Sequence, residues 1–428
     1  MPVGGPISEL PAAALDSVEV RNRLEGDRLL FVGWDWGSTA HDVTVIDSTG
    51  ARLHRMAIPH TEDGIARAVA TLAGYGDPGG LPVAIEATRG LVVDRLLAAG
   101  HPVIPVHPNA FHAVRPRWGA ARAKNDPGDS FKLADYARTD IHRLPVLVPT
   151  LPETLELQAL TRQRDCQLAL RIAAVSQLAA LLDQHWPGGK TIFAQLHSPI
   201  TLEFLHRYPT PQAAASLTAA RIEAFCRRRG YSGRRSGAEL LDRLRSAPIS
   251  ASRLGEPVVA QMIRGQVAVV RALQAGIDAL DTVIAEKATA HPYAGLLADL
   301  PRVGTLNLAQ IIGEVGPVLE RATSFDQLAA ETGLAPVTRS SGKTHTVAFR
   351  YATNRRARQA LHTWLDNSRR SNDWAQQRYA AARARGQRHP HALRTLGRAW
   401  LRIIWACWRT KTPYNPARHE AAKQPTAA

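Results

Sequence analysis

The stretch RLLFVGWDWGS, residues 28–38, decides the fold of the N-terminal part, because it is typical of a buried strand that ends in a carboxylate, Asp35. The stretch HDVTVIDSTGARLHRMAIPH, residues 41–60, follows as two alternating runs joined by Ser48-Thr49-Gly50. A polar turn between two alternating runs predicts a β-hairpin. We therefore expect the fold to start with three consecutive strands.

Helices and short strands alternate after these three strands. A helical pattern comes first, then an apolar strand that closes with Glu86, a helix that stops at Gly100, and a strand bounded by prolines. The two helices start at residues 62 and 89, and the two strands start at 81 and 101. A further helix follows from residue 126. The order β-β-β-α-β-α-β-α predicts an α/β domain with a mixed sheet.

Four carboxylates stand at special places in this order. Asp35 and Glu86 end apolar strands, and Asp126 and Asp129 lie three residues apart at the predicted start of a helix. Pro127 suits the first turn of that helix, with Asp126 as its cap. Four like charges close together are unfavourable unless a divalent cation neutralises them, and carboxylate oxygens suit Mg²⁺ or Mn²⁺. The pattern therefore predicts a metal site that supports phosphodiester chemistry.

Each of these carboxylates, taken alone, is more typical of a solvated strand end or helix cap. Their shared placement in the predicted order is what favours a metal cluster. The acidic residues nearby follow no such pattern, so we expect surface or cap positions for Asp42, Asp47, Asp94 and Asp135.

Two long helices are predicted in the middle of the chain. The first covers residues 152–185, with a 4-3-4-3 coiled-coil seam formed by Leu168, Ile172, Val175, Ala179 and Leu182. The second covers about 257–287, with a row formed by Ile263, Val270, Ile277 and Ile284, with Leu273 and Leu280 between them and Gln266 as the one interruption. Such seams predict an antiparallel pair or, equally, a dimer interface. The segment between them contains CRRRGYSGRRSG, residues 226–237, which predicts a basic surface loop with a phosphate contact as an open alternative.

The net charge of +16 is concentrated at the C-terminal end, because residues 331–428 carry 19 Lys/Arg against 4 Asp/Glu. A solvated basic face or a disordered tail is the simpler interpretation, and it suits the final dozen residues. Between Thr353 and Arg409, however, arginines alternate with aromatic residues, which favours a folded nucleic-acid-binding surface. The helical spacing of Trp400, Trp405 and Trp408 favours the core over base stacking.

Composition also bears on the compartment. The three cysteines, Cys166, Cys226 and Cys407, are far apart and in no metal-ligand spacing, which favours a reducing compartment. The apolar runs are shorter than the roughly 20 residues that span a bilayer. The first ten residues have no secretory pattern. We therefore expect a soluble cytoplasmic protein that does not enter a membrane.

At this point a family resemblance becomes visible. Asp35, Glu86 and KNDPGD, residues 124–129, resemble the RuvC-like domain of the DEDD transposases of the insertion-sequence "one-ten" family, the bridge-RNA-guided recombinases. The family's Lys-Thr-Asp is Lys124-Asn125-Asp126 here, which is a small departure. Three further stretches resemble, in order, the family's C-terminal signature: LPRVGTLNLAQIIGEVG (300–316), SFDQLAAETGLAPVTRSSGK (324–343) and YATNRRARQALHTW (351–364). The resemblance covers most of the chain.

The resemblance implies an α/β plus α architecture. It consists of a RuvC or ribonuclease-H-like N-terminal domain, a central antiparallel coiled coil, and a mainly helical C-terminal transposase domain with a helix-hairpin-helix-like element. The predicted divisions are a flexible leader at 1–27, the catalytic domain at 28–148, the coiled coil with its basic segment at 149–292, the transposase domain at 293–415 and a disordered tail at 416–428.

One serine acquires a role only through the resemblance. In TRSSGKTHTVAFR, residues 338–350, a serine before a glycine is by itself more typical of a polar turn, because an unassisted hydroxyl is a poor nucleophile. The resemblance implies that Ser341 attacks DNA to form a phosphoserine linkage, completed by the carboxylates and Mg²⁺ of the other domain. The adjacent Ser340 is the alternative. Arg339 and Lys343 are expected to steady the phosphate in the transition state.

Further residues are expected to contact nucleic acid. Leu300 to Gly304, before a helix, resembles the turn of a helix-hairpin-helix, where Arg302 and the Gly304 backbone face a phosphate, although a plain capping turn is the alternative. Guanidinium groups suit phosphate geometry. We therefore expect phosphate contacts from Lys124, Arg350, Arg355, Arg356 and Arg358.

The implied function is that of a transposase or recombinase of a mobile insertion sequence, which cuts and rejoins donor and target DNA under the guidance of a bridge RNA. Joining two DNAs needs several cleavages in one assembly, so we expect homodimers that pair into a tetramer. Two alternatives stay open. One is a hydrolytic nuclease of the Holliday-junction resolvase type, which uses the same carboxylates with water as nucleophile. The other is a non-catalytic DNA-binding protein.

Overall fold

The structure is a computed structural model, and it describes residues 30–119, 126–250, 253–342 and 344–417. The side chains at positions 126, 127, 339 and 344 lie outside that description. So do the predicted leader and most of the predicted tail. The chain divides into two compact units, Met1–Thr150 and Leu151–Ala428.

The first unit is built on a mixed five-stranded sheet in the order β3-β2-β1-β4-β5. Strands β1 to β3 are antiparallel neighbours, while β4 and β5 run parallel to β1. The described elements are β1 (Phe31–Asp35), β2 (Ala40–Ile46), β3 (Arg52–Pro59), α1 (Glu62–Ala73), β4 (Val83–Ile85), α2 (Leu91–Ala98), β5 (Val103–Pro105), α3 (Pro108–Val114) and α4 (Asp126–Asp140). The predicted order and the mixed sheet are confirmed, but α3 and the 3₁₀ turn Arg115–Trp118 after it were not predicted.

Helices cover both faces of this sheet. Side chains alternate between the faces of a strand, so neighbouring residues join different cores. One core contains Val32 and Trp34 of β1 together with apolar residues of α1 and α2. The other contains Phe31 of β1 and Ala84 of β4 together with residues of α3 and α4. The α4 face is therefore the one to which odd-numbered residues of β1 and even-numbered residues of β4 belong.

Gly33 brings helix α4 unusually close to the central strand. A Cβ atom at this position would lie 1.9 Å from the backbone oxygen of Ser130 and 2.5 Å from the backbone nitrogen of Ala134. Both are backbone atoms of α4, so the helix would have to move as a body to admit a methyl group. The absence of a side chain at Gly33 thus fixes the height of α4 above β1.

We expect Gly33→Ala to lower the free energy of unfolding of the first unit by about 3 kcal/mol, because a close-packed helix and strand must separate. Urea unfolding followed by circular dichroism measures this loss. Gly80→Ala is the matched control, since a Cβ at Gly80 meets nothing within 4 Å. Equal stability of the two variants would contradict the close approach.

The second unit is mostly helical. Its described elements are α5 (Pro152–His185), α6 (Pro187–Thr191), α7 (Pro199–Arg207), α8 (Pro211–Ala214), α9 (Ala219–Arg228), α10 (Gly237–Arg245), α11 (Glu256–Ala290), α12 (Ala294–Leu297), α13 (Thr305–Arg321), α14 (Phe325–Glu331), β6 (Val337–Ser341), β7 (Thr344–Ala348), α15 (Arg355–Ser368), α16 (Asp373–Ala384) and α17 (His389–Thr410). A mixed α/β N-terminal part and a mostly helical C-terminal part are thereby established.

The two long helices α5 and α11 run antiparallel along each other. Thr154 Oγ1 lies 2.9 Å from Nε2 of His291 at one end, and Gln266 donates to the backbone oxygen of Ala174 at 2.8 Å further along. Arg164 forms an ion pair with Asp281 between these two points. The pair is thus held by polar contacts as well as by its apolar seam; a coiled coil in the strict sense stays a prediction.

The predicted seam of α5 was partly wrong. Ile172 is 58% exposed, whereas Leu178, which was not assigned to the seam, is fully buried. The contact row runs through Arg171, whose guanidinium donates to Gln274 of α11, where the prediction placed Ile172. The apolar residues of α5 allow two phases of the same heptad repeat, 3-4-3-4 and 4-3-4-3. Packing against α11 decides which of the two rows is buried. In α11 the predicted buried row was correct, with Ile263, Val270, Ile277 and Ile284 all buried.

Among the described residues one helix, α5, is long and apolar enough to cross a bilayer by length and composition. This was not predicted from the sequence, because polar residues interrupt the apolar residues of this helix. The helix contributes Arg162 and Arg164 to ion pairs with α13 and α11, so its polar face is engaged by protein. A single helix that passes this test is weak evidence for a membrane span.

Helices α6 to α10 form a helical insert, residues 187–250, at the end of the long pair where α5 stops and α11 starts. Its core is aromatic: the Phe204 ring lies 5.9 Å from the Trp186 ring and 5.8 Å from the rings of Phe193 and Phe225. The prediction of a loop for residues 226–237 holds for 229–236, because Arg227 and Arg228 still belong to α9.

The other end of the long pair packs against the C-terminal helices. Glu314 of α13 is buried and accepts two hydrogen bonds from Arg162 of α5, at 2.6 and 2.9 Å. Trp400 and Trp408 of α17 are also buried, which confirms these two predicted core positions, while Trp405 is partly buried and packs against the same core. The aromatic residues thus build the core of this part, and arginines between them cover its surface.

Candidate active site

Asp35 and Glu86 lie at the same height on neighbouring parallel strands. The register pairs Trp34 of β1 with Ile85 of β4, and the two carboxylates are the residues that come next. Strand alternation places both on the α4 face of the sheet. Both are partly exposed. Two of the four predicted site residues thus meet at one edge of the sheet, on the side where α4 packs.

Asp42 belongs to the same face, and its assignment as a surface residue was wrong. It stands directly opposite Asp35 in the β1–β2 register and is 6% exposed. Arg55 donates to both of its oxygens, and Ser130 of α4 donates to Oδ1 at 2.7 Å. Thr44 lies 2.8 Å from the Ser130 hydroxyl. The network ties the first turns of α4 to the sheet beside Asp35.

The other three neighbouring carboxylates differ from Asp42. Asp47 is partly exposed, and its pKa is lowered by the hydrogen bond from the Thr49 hydroxyl and by the backbone N–H groups of its own turn. Asp94 lies exposed in the first turn of α2. Asp135 is half-buried and accepts from the Trp118 indole at 2.7 Å and from Arg138. Asp47 and Asp135 thus bind neighbouring protein groups, and Asp94 is a surface residue as predicted.

Asp129 is the most enclosed of the predicted site residues, with 3% of its surface exposed. Arg115 donates to its Oδ2 at 2.7 Å, and Lys132 donates to Oδ1 at 3.1 Å. The two cations supply the countercharge that a buried carboxylate requires. Arg115 lies in the 3₁₀ turn Arg115–Trp118, which was not predicted, and no motif in the sequence indicated a role for this residue.

The predicted four-carboxylate cluster is not assembled among the described side chains. Asp126 is the first residue of α4, but its side chain lies outside the description. Across the described residues, no group of three or more His, Cys, Asp and Glu side chains is arranged to hold a metal ion. The donors nevertheless fit a hard divalent cation in kind, because Asp35 and Glu86 offer carboxylate oxygens from adjacent strand ends.

Ser341 lies at the exposed tip of a β-hairpin. It ends β6 and pairs with Thr344 of β7, and Gly342, which follows it, has a φ of +55°. Ser340 pairs with His345 and therefore faces the opposite side of the hairpin. A left-handed glycine closes such tight hairpin loops without strain. The geometry thus separates two serines that the sequence alone left as alternatives.

The base of this hairpin is fixed by arginines. Phe349 follows β7, and its ring carries the guanidinium groups of Arg358 at 4.8 Å and Arg394 at 4.9 Å. Arg350 donates to the backbone oxygens of Ala335 and Pro336 ahead of β6. Two of the predicted phosphate contacts, Arg350 and Arg358, thus have protein partners that position the hairpin.

His362 lies beneath this arginine cluster. Burial lowers its pKa to about 4, and the charges of Arg394, Arg358 and His389 add to the effect. Its buried Nε2 has no hydrogen-bond partner within the part of the chain that is described. His362 is therefore neutral at pH 7, and the positive charge here comes from the arginines.

This neutral histidine predicts a pH-dependent stability. Below the ordinary pKa of 6.5 the unfolded chain binds a proton that folded His362 does not, so stability falls from pH 6.5 toward about 4. Between pH 6.5 and 4.5 the free energy of unfolding should fall in both proteins. The fall should be smaller in His362→Gln than in the wild type, by on the order of 1 to 2 kcal/mol after allowance for solvent screening. Urea unfolding at the two pH values measures it. The exposed His391→Gln is the control, and an equal loss in both variants would contradict the assignment.

A turn with left-handed backbone precedes α13, and its assignment as a helix-hairpin-helix stays a prediction. Arg302 and Gly304 both have positive φ values, +50° and +53°. Gly304 is the N-cap of α13 and provides no side-chain cap, so the first backbone N–H groups of that helix are not used by a capping side chain. Trp364 donates to the backbone oxygen of Pro301 at 2.9 Å and fixes the turn to the core.

The other predicted nucleic-acid contacts differ in exposure. Arg355 and Arg356 are exposed at the start of α15, and Arg356 lies 3.8 Å from Asp165. Lys124 and Lys343 lie outside the described residues, as does the side chain of Arg339.

Comparison with known proteins identifies the class. A DEDD family model described as "Transposase" matches residues 32–187, which include β1, β4 and α4. A second, described as "Transposase IS116/IS110/IS902 family", matches residues 294–380, which include the turn before α13 and the hairpin of β6 and β7. The chain is thus a transposase, an enzyme that cleaves and rejoins DNA. The DEDD class implies the use of a divalent metal.

Relatives over the full length identify the family. The protein of the IS117 mini-circle of Streptomyces coelicolor, which is named as a transposase, is 30% identical over 404 residues, or 92% of this chain and 97% of the relative. The 42 kDa protein of insertion element IS900 from Mycobacterium paratuberculosis is 27% identical over 92% of this chain and 99% of the relative. The 43.6 kDa protein of IS110 from Streptomyces coelicolor is 27% identical over 90% and 95%. The chain belongs to the IS110 family of transposases.

Proposed function

We propose that this transposase cleaves and rejoins DNA by Mg²⁺-dependent phosphoryl transfer, with Ser341 as the nucleophile and a bridge RNA as the guide. The observation that carries the proposal is the register of β1 and β4, which places Asp35 and Glu86 together on the face where α4 packs. The strand order β3-β2-β1-β4-β5 supports the ribonuclease-H-like fold that the family resemblance implies.

Asp35, Glu86, Asp126 and Asp129 would hold the cation, and Mn²⁺ is expected to substitute for Mg²⁺ because both prefer oxygen ligands. When bound, such an ion stabilises the negative charge that develops on a phosphodiester during its displacement. The chain's own residues prepare the position: Gly33 sets the height of α4, and Asp42 anchors the first turns of the helix through Ser130. Arg115 and Lys132 hold the Asp129 carboxylate in place.

Ser341 is proposed to form the covalent intermediate. Its Oγ–phosphorus bond forms while the bond from phosphorus to one sugar oxygen breaks, and the serine proton passes to a base or to water. Placement at an exposed, rigidly anchored hairpin tip supports this role, because a DNA backbone has access to the tip while Phe349 fixes the base. The energy of the phosphodiester bond is kept in the serine linkage, so a second hydroxyl can later displace the serine and rejoin the DNA.

Donor DNA, target DNA and guide RNA are proposed to bind basic groups of both units. The uncapped N-terminus of α13 behind Gly304 supports a phosphate contact with Arg302 beside it. Exposure supports the same role for Arg355 and Arg356, with Lys124, Arg339, Lys343, Arg350 and Arg358 as the remaining candidates. We further propose a cytoplasmic protein that works as homodimers paired into a tetramer.

A covalent adduct distinguishes this function from its main alternative. Purified protein is combined with RNA from the flanks of the element, Mg²⁺ and end-labelled junction DNA, and the products are separated on a denaturing gel. A protein–DNA adduct supports the serine mechanism. Nicked DNA with free 5′-phosphate ends and no adduct would indicate the hydrolytic nuclease instead.

A further inference from the structure

The connection between α9 and α10 concentrates positive charge in the helical insert. Residues 187–250 contain ten Lys/Arg against four Asp/Glu, a net charge of +6. Four exposed arginines lie in the nine residues 227–235, at the end of α9 and in the connection that follows it. We call them the arginine loop: Arg227, Arg228, Arg234 and Arg235. Such a local excess of like charge is unfavourable in the absence of an anionic partner.

The other arginines of the insert differ because protein groups bind them. Arg229 forms an ion pair with Glu203 at 2.6 Å, and Arg221 and Arg245 donate to backbone oxygens of Ser216 and Leu217. The arginine loop makes no hydrogen bond or ion pair of this kind with any residue that the structure describes. Glu239, the acidic residue next along the chain, accepts the hydrogen bonds of a capping box with Ser236, and Arg235 acts on it only through its charge.

Both ends of the arginine loop are fixed. The Tyr231 N–H donates to the backbone oxygen of Cys226 at 3.0 Å, and the Tyr231 ring packs 5.5 Å from that of Phe193. At the other end, a Cβ on Gly237 would lie 2.3 Å from the backbone oxygen of Ala219, so α10 starts tightly against α9. Four charges on a frame held at both ends are organised before a ligand arrives, which lowers the entropic cost of binding.

The chemistry of the arginine loop selects its ligand. Guanidinium forks match phosphate oxygens, while base recognition in single strands requires exposed aromatic rings. The one aromatic residue of the connection, Tyr231, is half-buried against Phe193. We propose that the arginine loop binds the phosphate backbone of double-stranded DNA outside the reacting site. The inference rests on DNA as the substrate of the proposed function.

The position of the insert defines which part of the DNA it reaches. The α5 helix has 34 residues, and its two ends pack against different cores of the second unit. At 1.5 Å per residue, most of its length separates the insert from the C-terminal helices, a distance of about 40 Å. At about 3.4 Å per base pair this corresponds to about 12 base pairs. The arginine loop is therefore expected to contact the phosphates of the duplex that flanks the reacting site.

The test compares the full-length protein with a variant in which all four arginines of the loop are glutamine. Binding to a 50-base-pair duplex is measured by fluorescence anisotropy in EDTA over a range of NaCl concentrations. We expect the variant to lose about 10- to 100-fold in affinity and its salt dependence to fall by about 2 to 3 in slope, because each phosphate contact contributes about 0.9. A duplex of about 8 base pairs is too short to reach both basic regions, so there the loss should stay under about threefold.

Two controls test whether the effect depends on the positive charge of the four residues and on their position in the insert. Arginine-to-lysine changes at the same four positions should keep affinity within about threefold, because the charge is retained. Removing two charges elsewhere in the insert, with Arg207→Gln and Arg221→Gln, should leave the slope on the long duplex nearly unchanged.

Unchanged affinity of the glutamine variant on the long duplex would overturn the inference, and so would a loss confined to double-stranded RNA. Since no strand is cut in EDTA, failure here is independent of the serine mechanism, which the covalent adduct tests separately.

Discussion

Ser341→Ala is expected to abolish the covalent protein–DNA adduct, lowering its rate of formation by about 10³-fold or more. The substitution removes the one atom, Oγ, that the mechanism bonds to phosphorus. Because the side chain is exposed at the hairpin tip, its loss should leave folding and DNA affinity unchanged. The measurement is the yield of adduct on a denaturing gel, with DNA affinity determined in parallel.

Ser340→Ala is the matched control for this result. The two serines are neighbours in sequence, and strand alternation points them to opposite faces of the hairpin, so only one of them can face the bound phosphate. We expect Ser340→Ala to keep at least about a third of the adduct, since no bond to phosphorus is lost. A Ser341→Ala protein that still forms the adduct would exclude Ser341 as the nucleophile, and a Ser340→Ala protein that forms none would assign that role to Ser340.

Glu86→Gln is expected to lower Mg²⁺-dependent strand cleavage by about 10³-fold, and Asp35→Asn should act equally. Each amide keeps the shape of the acid but removes the charge that a divalent cation requires. A second measurement, the unfolding temperature, does not depend on activity. In the wild type, Mg²⁺ should raise the unfolding temperature of the first unit, since a ligand that binds only the folded state stabilises it. Both variants should lose that rise.

Two further carboxylate variants show whether the effect belongs to the metal or to the fold. Asp94→Asn removes an exposed charge from α2 and should change neither cleavage nor the Mg²⁺ effect. Asp42→Asn weakens the bonds to Arg55 and Ser130, so it should lower stability already without metal. A Glu86→Gln protein that cleaves at the wild-type rate would refute the proposed site.

Most of the N-terminal sheet was predictable from local pattern. The strand ending at Asp35, the hairpin after it and the strand ending at Glu86 all carry alternation or apolar runs that depend only on neighbouring residues. Parallel strands with their carboxyl ends at one edge then bring those two acids together. By contrast, α3 and the 3₁₀ turn with Arg115 have few apolar residues in periodic positions, so no pattern announced them.

The burial of Asp42 could not be predicted from local sequence pattern. A carboxylate within a strand resembles any solvated one in sequence, and its partners Arg55 and Ser130 are 13 and 88 residues away. The phase of the α5 seam failed for the same reason: Ile172 and Leu178 are equally apolar, and contact with α11 decides which of them is buried. The helix boundaries of α5 were predicted correctly because proline and the end of periodicity mark them locally.

The sequence by itself determined the strands of the N-terminal sheet with their order, the two long helices and the residue types available for chemistry, since these follow from propensity, periodicity and charge along the chain. Only the tertiary structure decided that Ser340 and Ser341 face apart, that Arg350 and Arg358 clamp the hairpin, and that the arginine loop forms no hydrogen bond or ion pair with the described residues. These distinctions depend on which distant groups come within hydrogen-bonding range. Residues far apart in the chain come that close only when the whole fold brings them together.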